Sequence, residues 1–140
     1  MSVYVDASVL VSLFTPDALS ARVDELMRRT QAAIVISDFA AAEFASAISR
    51  CVRTRELAKN HARSVFGSFD EWSARETQRV EVTSADIAVT ATYLRRLDLV
   101  LRAPDAIHIA IAQRIGARLM TLDKGMIKAA RSLGAGLVAA

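Results

Sequence analysis

Short apolar runs recur along this chain, each followed by a longer stretch with helical spacing. That alternation restricts the fold more than any other feature. Val3-Tyr4-Val5, Ile34-Val35-Ile36, Val80-Glu81-Val82 and Arg118 to Thr121 read as strands. Between them, apolar residues fall three or four apart: Leu19, Val23, Leu26 and Met27; then Phe44, Ile48, Cys51 and Val52. Ala58, Ala62, Val65, Phe69 and Trp72 follow, then Ile87, Ala91 and Leu94. Such spacing marks one face of a helix. Strands alternating with helices of about 10–15 residues predict an α/β fold, a mainly parallel central sheet between two helical layers. In such sheets, sites form beyond the carboxyl ends of the strands.

Local signals divide these segments. Asp6 closes the first strand, and Ala7 to Phe14 opens a short helix broken at Thr15-Pro16-Asp17. The next helix is expected from Ala18 to Gln31. Ser37-Asp38 and Thr83-Ser84-Ala85-Asp86 are helix N-cap signals. Gly67 marks a candidate kink, and Pro104 stands where a helix start tolerates it. Ala106 to Ile115 is apolar on nearly every side, the pattern of a buried central helix, and Gly116 ends it. Leu137-Val138 is a candidate edge strand.

A length of 140 residues suits one compact domain spanning 1–140, and a 53% hydrophobic composition suits a sizeable core. The first residues carry neither the basic nor the long apolar region of a signal peptide. No run approaches the roughly 18 apolar residues of a membrane span. A cytoplasmic protein without membrane association is therefore expected. The single cysteine, Cys51, excludes an internal disulfide and is expected as a buried, inert thiol. Eighteen Lys and Arg stand against fifteen Asp and Glu, a net charge of +3. If four acids are sequestered by metal ions, eleven remain and the balance becomes +7, a surface that attracts polyanions.

Four acids stand out by placement. Asp6 and Asp123 end strands, and Asp105 stands at the mouth of the buried helix. Each of these also fits a helix cap or first-turn acid. Glu43 fits that description worst. Its one-turn neighbours are Phe39, Ala40, Ser46 and Ala47, none of them basic. A carboxylate in apolar surroundings costs several kcal/mol unless something compensates it. Carboxylates brought together must protonate or bind cations. Mg²⁺ and Mn²⁺ take oxygen ligands, and either ion activates water against a phosphodiester. With only His61, His108 and Cys51, the chain lacks the ligands of a zinc site.

These residues resemble the PIN-domain nucleases, most closely the VapC-type toxins of toxin–antitoxin pairs. Val5-Asp6-Ala7-Ser8-Val9-Leu10 is similar to the family's first motif, and Ala42-Glu43-Phe44 to the second. Pro104-Asp105-Ala106-Ile107-His108-Ile109-Ala110 resembles the third, the most specific, and Thr121-Leu122-Asp123 the fourth. Met126 departs from the aromatic often found after the fourth motif. The resemblance implies a PIN-like α/β/α fold and a metal-dependent endoribonuclease leaving a 5′-phosphate and a 3′-hydroxyl. It implies that Asp6, Glu43, Asp105 and Asp123 hold Mg²⁺ or Mn²⁺, with Ser8 and Thr121 in support. It also implies a homodimer and a small VapB-like antitoxin that blocks the pocket.

Arg55, Lys59 and Arg63 recur at helical spacing as a basic stripe, either a solvated face or a contact for RNA or antitoxin. Arg102 either meets a substrate phosphate or lies on the surface. His108 is expected as a packed histidine, and Phe66, Phe69 and Trp72 as core. Three other readings share this architecture: a receiver-like phospho-acceptor domain, a catalytically silent binding module on the same fold, and a non-toxin PIN nuclease of RNA processing or decay. The receiver reading leaves Glu43 and Asp105 unused and lacks the acceptor Asp after the third strand, where Val80-Glu81-Val82 leads to Thr83.

Overall fold

The computed structural model describes residues 1–138. The elements run β1 (Ser2–Val5), α1 (Ala7–Phe14), α2 (Ser20–Arg29), β2 (Ala33–Ser37), α3 (Asp38–Arg53) and α4 (Lys59–Glu76). There follow β3 (Thr77–Val80), α5 (Ser84–Leu94), α6 (Ala103–Arg114), β4 (Arg118–Met120) and α7 (Lys124–Ser132). The sheet has the order β3-β2-β1-β4, and every pairing is parallel. Tyr4 is the central register mark, opposite Val35 on one side and Leu119 on the other.

Alternation along the strands builds the two outer layers. Val3, Val5, Ile36 and Met120 face one core, with Val9 and Leu10 of α1, Val23 and Leu26 of α2, and Phe44 and Phe69 of α3 and α4. Tyr4, Val35 and Leu119 face the opposite core, with Ile109 and Ile111 of α6 and Met126 and Ala129 of α7. Side chains of a strand point to opposite faces, so both faces of a parallel sheet must be covered. The expected α/β/α sandwich is present. Phe44 stacks on Phe69 at 4.6 Å, and Phe14 meets Phe44, Phe69 and Trp72 edge-on. Phe66 also packs edge-on against Phe44, so these aromatics are core, as expected.

Several boundaries differ from the expectation. The third strand is Thr77–Val80 and not Val80-Glu81-Val82, because the ladder to β2 runs from Ile34–Thr77 to Ser37–Val80. This is an edge strand, so its residues are polar and carry no apolar alternation. At Gly67 the helix α4 runs on without interruption. The Leu137 segment forms one isolated parallel bridge with Leu119, not a strand. The basic stripe does not form: α3 stops at Arg53, and Arg55 sits in a turn with φ +61°. Cys51 is half-buried, and burial pushes its thiol up.

The chain builds outward from β1 through β2 to β3, then returns to the other side of β1 as β4. The strand order therefore reverses between β1 and β4, which opens a crevice beyond their carboxyl ends. Asp6 and Thr121 are the first residues past those ends.

Candidate active site

The β1 ladder continues one residue further, as the Asp6 N–H donates to the Met120 carbonyl at 3.2 Å. The backbone then turns into α1, and the Asp6 carboxylate caps that helix by accepting from Val9 N–H at 3.2 Å. Ser8 donates to the same oxygen at 2.6 Å. The Ser8 hydroxyl also accepts from Leu122 N–H at 3.1 Å and lies 3.5 Å from the Thr121 hydroxyl. Thr121 in turn accepts from Asp123 N–H at 3.1 Å. These two hydroxyls thus lace the turn after β1 to the turn after β4. Asp123 caps α7 through Met126 N–H at 3.0 Å. Gly125 serves that cap, since a Cβ there would crowd Asp123 Oδ1 at 3.2 Å.

Asp105 comes from the first turn of α6, and Glu43 from the second turn of α3. All four acids line one cavity of about 160 Å³, together with Ala7, Ser8, Arg102, His108 and Met126. The four acids thus share one cavity, and each arrives on a different element. Met126 is buried against the inner core while its edge lines the cavity, so the departure from an aromatic is absorbed by packing.

Charge is poorly balanced here. Burial pushes the Asp6 carboxyl above the usual range, against the opposing bonds from Ser8, Thr121 and Val9 N–H. The Asp105 carboxyl is raised too, chiefly by burial, with Asp123 and Glu43 adding to it and Arg102 working against. Arg102 is the sole Lys or Arg lining the cavity among the described residues. Its Nε stands 3.7 Å from Asp105, and its side chain is 78% exposed.

Glu43 departs from the sequence reading. No cation on its own helix reaches it, but His108 Nε2 of α6 bonds its Oε1. The other ring nitrogen, Nδ1, lies 2.6 Å from the Tyr4 hydroxyl, which lies 2.7 Å from Ser37 Oγ. Ser37 also caps α3 by accepting from Ala40 N–H at 2.9 Å. Burial raises the Tyr4 phenol far above its ordinary value, so it stays protonated. A hydrogen-bonded chain thus runs unbroken from Ser37 through the Tyr4 hydroxyl and the His108 ring to Glu43. His108 is packed, as expected, yet it also orients an acid of the pocket. Tyr4 and Ser37 are additions to the site; the sequence marked Ser37 only as a helix cap, and the period-2 alternation that aims Tyr4 at the α6 layer was the only signal for Tyr4.

The donor set is one of carboxylate oxygens with neighbouring hydroxyls, which fits a hard divalent cation such as Mg²⁺ or Mn²⁺. As the side chains stand, no three His, Cys, Asp or Glu among the described residues are close enough to share an ion. The fit is thus one of donor chemistry and unrelieved negative charge.

A doubly wound parallel sheet with acids gathered at its switch point defines the class, an α/β protein with a carboxylate-lined site. The chain belongs to the PIN-domain family: the model of that family matches residues 3–132. This displaces the receiver-like reading. Three solved structures show the same fold over nearly their whole length. Mycobacterium tuberculosis VapC20, a sarcin-ricin loop cleaving toxin, is 16% identical with a TM-score of 0.75, covering 97% of this chain and 98% of its own. VapBC2 from Rickettsia felis, bound to a DNA fragment from its promoter, is 17% identical with a TM-score of 0.70, covering 99% and 98%. FitAcB from Neisseria gonorrhoeae is 18% identical with a TM-score of 0.68, covering 98% and 96%. No curated protein matches the chain. Among the described residues, no helix is long and apolar enough to cross a membrane.

Proposed function

We propose that this chain is a Mg²⁺- or Mn²⁺-dependent endoribonuclease and the toxin of a toxin–antitoxin pair. The observation that carries the reading is the convergence of Asp6, Glu43, Asp105 and Asp123 on one cavity with a single rim arginine. The PIN family is a family of nucleases, which supports hydrolysis of nucleic acid. A toxin role and a small VapB-like antitoxin are drawn from the structural neighbours, the VapC20 toxin and the VapBC2 pair. We propose a homodimer acting in the cytoplasm by the same analogy.

The residues divide the work. Asp6, Glu43, Asp105 and Asp123 are the carboxylates that would hold the metal. A bound ion supplies a Lewis acid for the phosphodiester and lowers the pKa of its water. Val9 N–H and Ser8 fix the Asp6 carboxylate, and Met126 N–H fixes that of Asp123. Tyr4 holds the His108 ring, which holds Glu43. Arg102, exposed at the rim, offers its guanidinium to a substrate phosphate.

The test is cleavage of labelled RNA by purified protein free of any partner. Cleavage is expected with Mg²⁺ or Mn²⁺ and none in chelator; full activity in excess chelator overturns the metal dependence. Expression without a partner is expected to arrest growth. Harmless expression of an active nuclease overturns the toxin role and leaves the nuclease.

A further inference from the structure

Two cavities meet at Glu43. One is the acid pocket. The other, about 210 Å³, runs along α3 and is lined by Glu43, Ser46, Ala47, Arg50 and Arg53. We infer that this face of α3 is the track on which a single-stranded RNA backbone leaves the acid pocket, with Arg50 and Arg53 holding its phosphates. The inference rests on the nuclease reading and adds where the substrate lies.

Helical geometry aligns the track. Positions 43, 46, 47, 50 and 53 share one face of α3. At 1.5 Å of rise per residue, Arg50 stands about 10 Å beyond Glu43 along the axis, and Arg53 about 15 Å. Ser46 and Ala47 between them are small, so the cavity extends from Glu43 to the two guanidinium groups. A bulky side chain at Ser46 or Ala47 would close it.

Both arginines are available. Neither has an ion-pair partner among the described residues, whereas Arg28, Arg75, Arg79, Arg96 and Arg114 each pair with an acid. The side-chain hydrogen bond of Arg53 is a local one, to the Ser49 hydroxyl at 2.9 Å. The lining favours RNA over a protein partner. Protein interfaces anchor on aromatic or large apolar side chains, and the trough is lined by none. Guanidinium and hydroxyl groups are what phosphodiester oxygens accept from. The track also meets an electrostatic need. A polyanion nearing four carboxylates is repelled, and positive charge on both flanks, Arg102 on one and the track on the other, draws it in. Arg55, Lys59 and Arg63 line neither cavity.

A merely structural role is available to Arg50 and Arg53, because basic residues in the last turn of a helix offset its dipole. That role predicts a lower melting temperature and no change in RNA binding. The experiment separates the two. Fluorescence anisotropy of a labelled single-stranded RNA is measured on the Asp6→Asn chain, so that the RNA survives, with and without Arg50→Ala/Arg53→Ala. The double substitution is expected to weaken binding about tenfold and to flatten the log K against log salt slope by about 1.4, two phosphate contacts at ~0.7 each. In the otherwise unsubstituted enzyme, KM should rise while kcat stays within about twofold. Arg50→Lys/Arg53→Lys should restore most of the slope, and Arg55→Ala/Lys59→Ala/Arg63→Ala should leave it unchanged. An unaltered slope and KM overturn the track, whatever happens to the melting temperature. So does loss of affinity for an antitoxin protein alone. If the unsubstituted chain neither binds nor cuts RNA, the nuclease reading falls and takes the track with it.

Discussion

Asp86 and Asp6 each keep only 2% of their surface exposed, though Asp6 lies deeper in the fold, and the molecule treats them in opposite ways. Asp86 is closed in on every side. Arg114 reaches both its oxygens, at 2.8 and 3.0 Å, and Thr83 N–H donates at 2.9 Å to complete a capping box. Arg114 also bonds the Glu81 carbonyl at 2.8 Å, so one guanidinium ties α6 to α5 and to the loop before it. Burial works to raise the Asp86 carboxyl, but the bonds from Arg114 and Thr83 outweigh it and hold it below the usual range. Asp6 has hydrogen bonds and no such arginine, and burial wins there. The same chain thus neutralises one buried acid fully and leaves another, with three more beside it, short of positive charge. The first arrangement is a staple. The second leaves a carboxylate that burial holds above its usual range.

The sharpest way to break that contrast is to neutralise each acid. Asp6→Asn is expected to lower RNA cleavage by about 10³-fold or more, since several kcal/mol of transition-state stabilisation go with the metal. The same change should raise the metal-free melting temperature. Near-normal cleavage by Asp6→Asn would remove Asp6 from the site.

Adding metal should act on one region only. At about 100 times its Kd, Mn²⁺ is expected to stabilise the unsubstituted chain by about 2.7 kcal/mol. Calorimetric melting should show that gain kept in Asp86→Asn and lost in Asp6→Asn. An equal gain in both would mean that the ion binds elsewhere.

Asp86→Asn removes the staple's charge. We expect a loss of about 2 kcal/mol in denaturant melts, because the bonds to Arg114 are charge-assisted and one partner is hidden. Activity per folded molecule should not change. The pH dependence carries opposite signs at the two acids. Asp86, lowered in the folded state, contributes stability that is complete above the unfolded carboxylate range and is lost as pH falls through its folded value. Asp6, raised in the folded state, costs stability as pH climbs from the ordinary carboxylate value through its own. Melting against pH should therefore show the penalty of Asp86→Asn shrinking in acid and the benefit of Asp6→Asn shrinking in acid. A flat difference for either variant contradicts its assignment.

The smallest effect tests the link between pocket and core. Tyr4→Phe removes the hydroxyl that orients His108, at a cost of about 1 kcal/mol in stability. If His108 positions Glu43 through that bond, Mn²⁺ affinity should also fall, whereas a packing role alone leaves it intact.

Much of the site was legible because its signals are local. Asp6, Ser37, Thr83 and Asp123 cap helices where the sequence places caps, and each bond spans three residues. Glu43 stood out as an acid with no basic neighbour within one turn of its helix, and no cation of α3 pairs with it. Its partner comes from α6, sixty-five positions away, through a histidine that looked like ordinary core. Arg114 went unnoticed for the same reason: its pairing with Asp86 spans twenty-eight positions.

The sequence by itself determined what periodicity and capping determine. Apolar residues at intervals of two and of three to four set the strands, the helices and the two buried faces, and Asp6, Asp105 and Asp123 fall at strand ends and a helix start. Tertiary structure decided the rest. The third strand was set by its ladder to β2, since an edge strand carries no apolar pattern of its own. The fate of the basic residues was set by where α3 stops, which put Arg55 in a turn and left Arg50 and Arg53 beside the pocket. Above all, the contrast between Asp86 and Asp6 exists only in three dimensions. A buried carboxylate is stable or strained according to what stands within hydrogen-bonding reach, and that partner comes from a distant part of the chain.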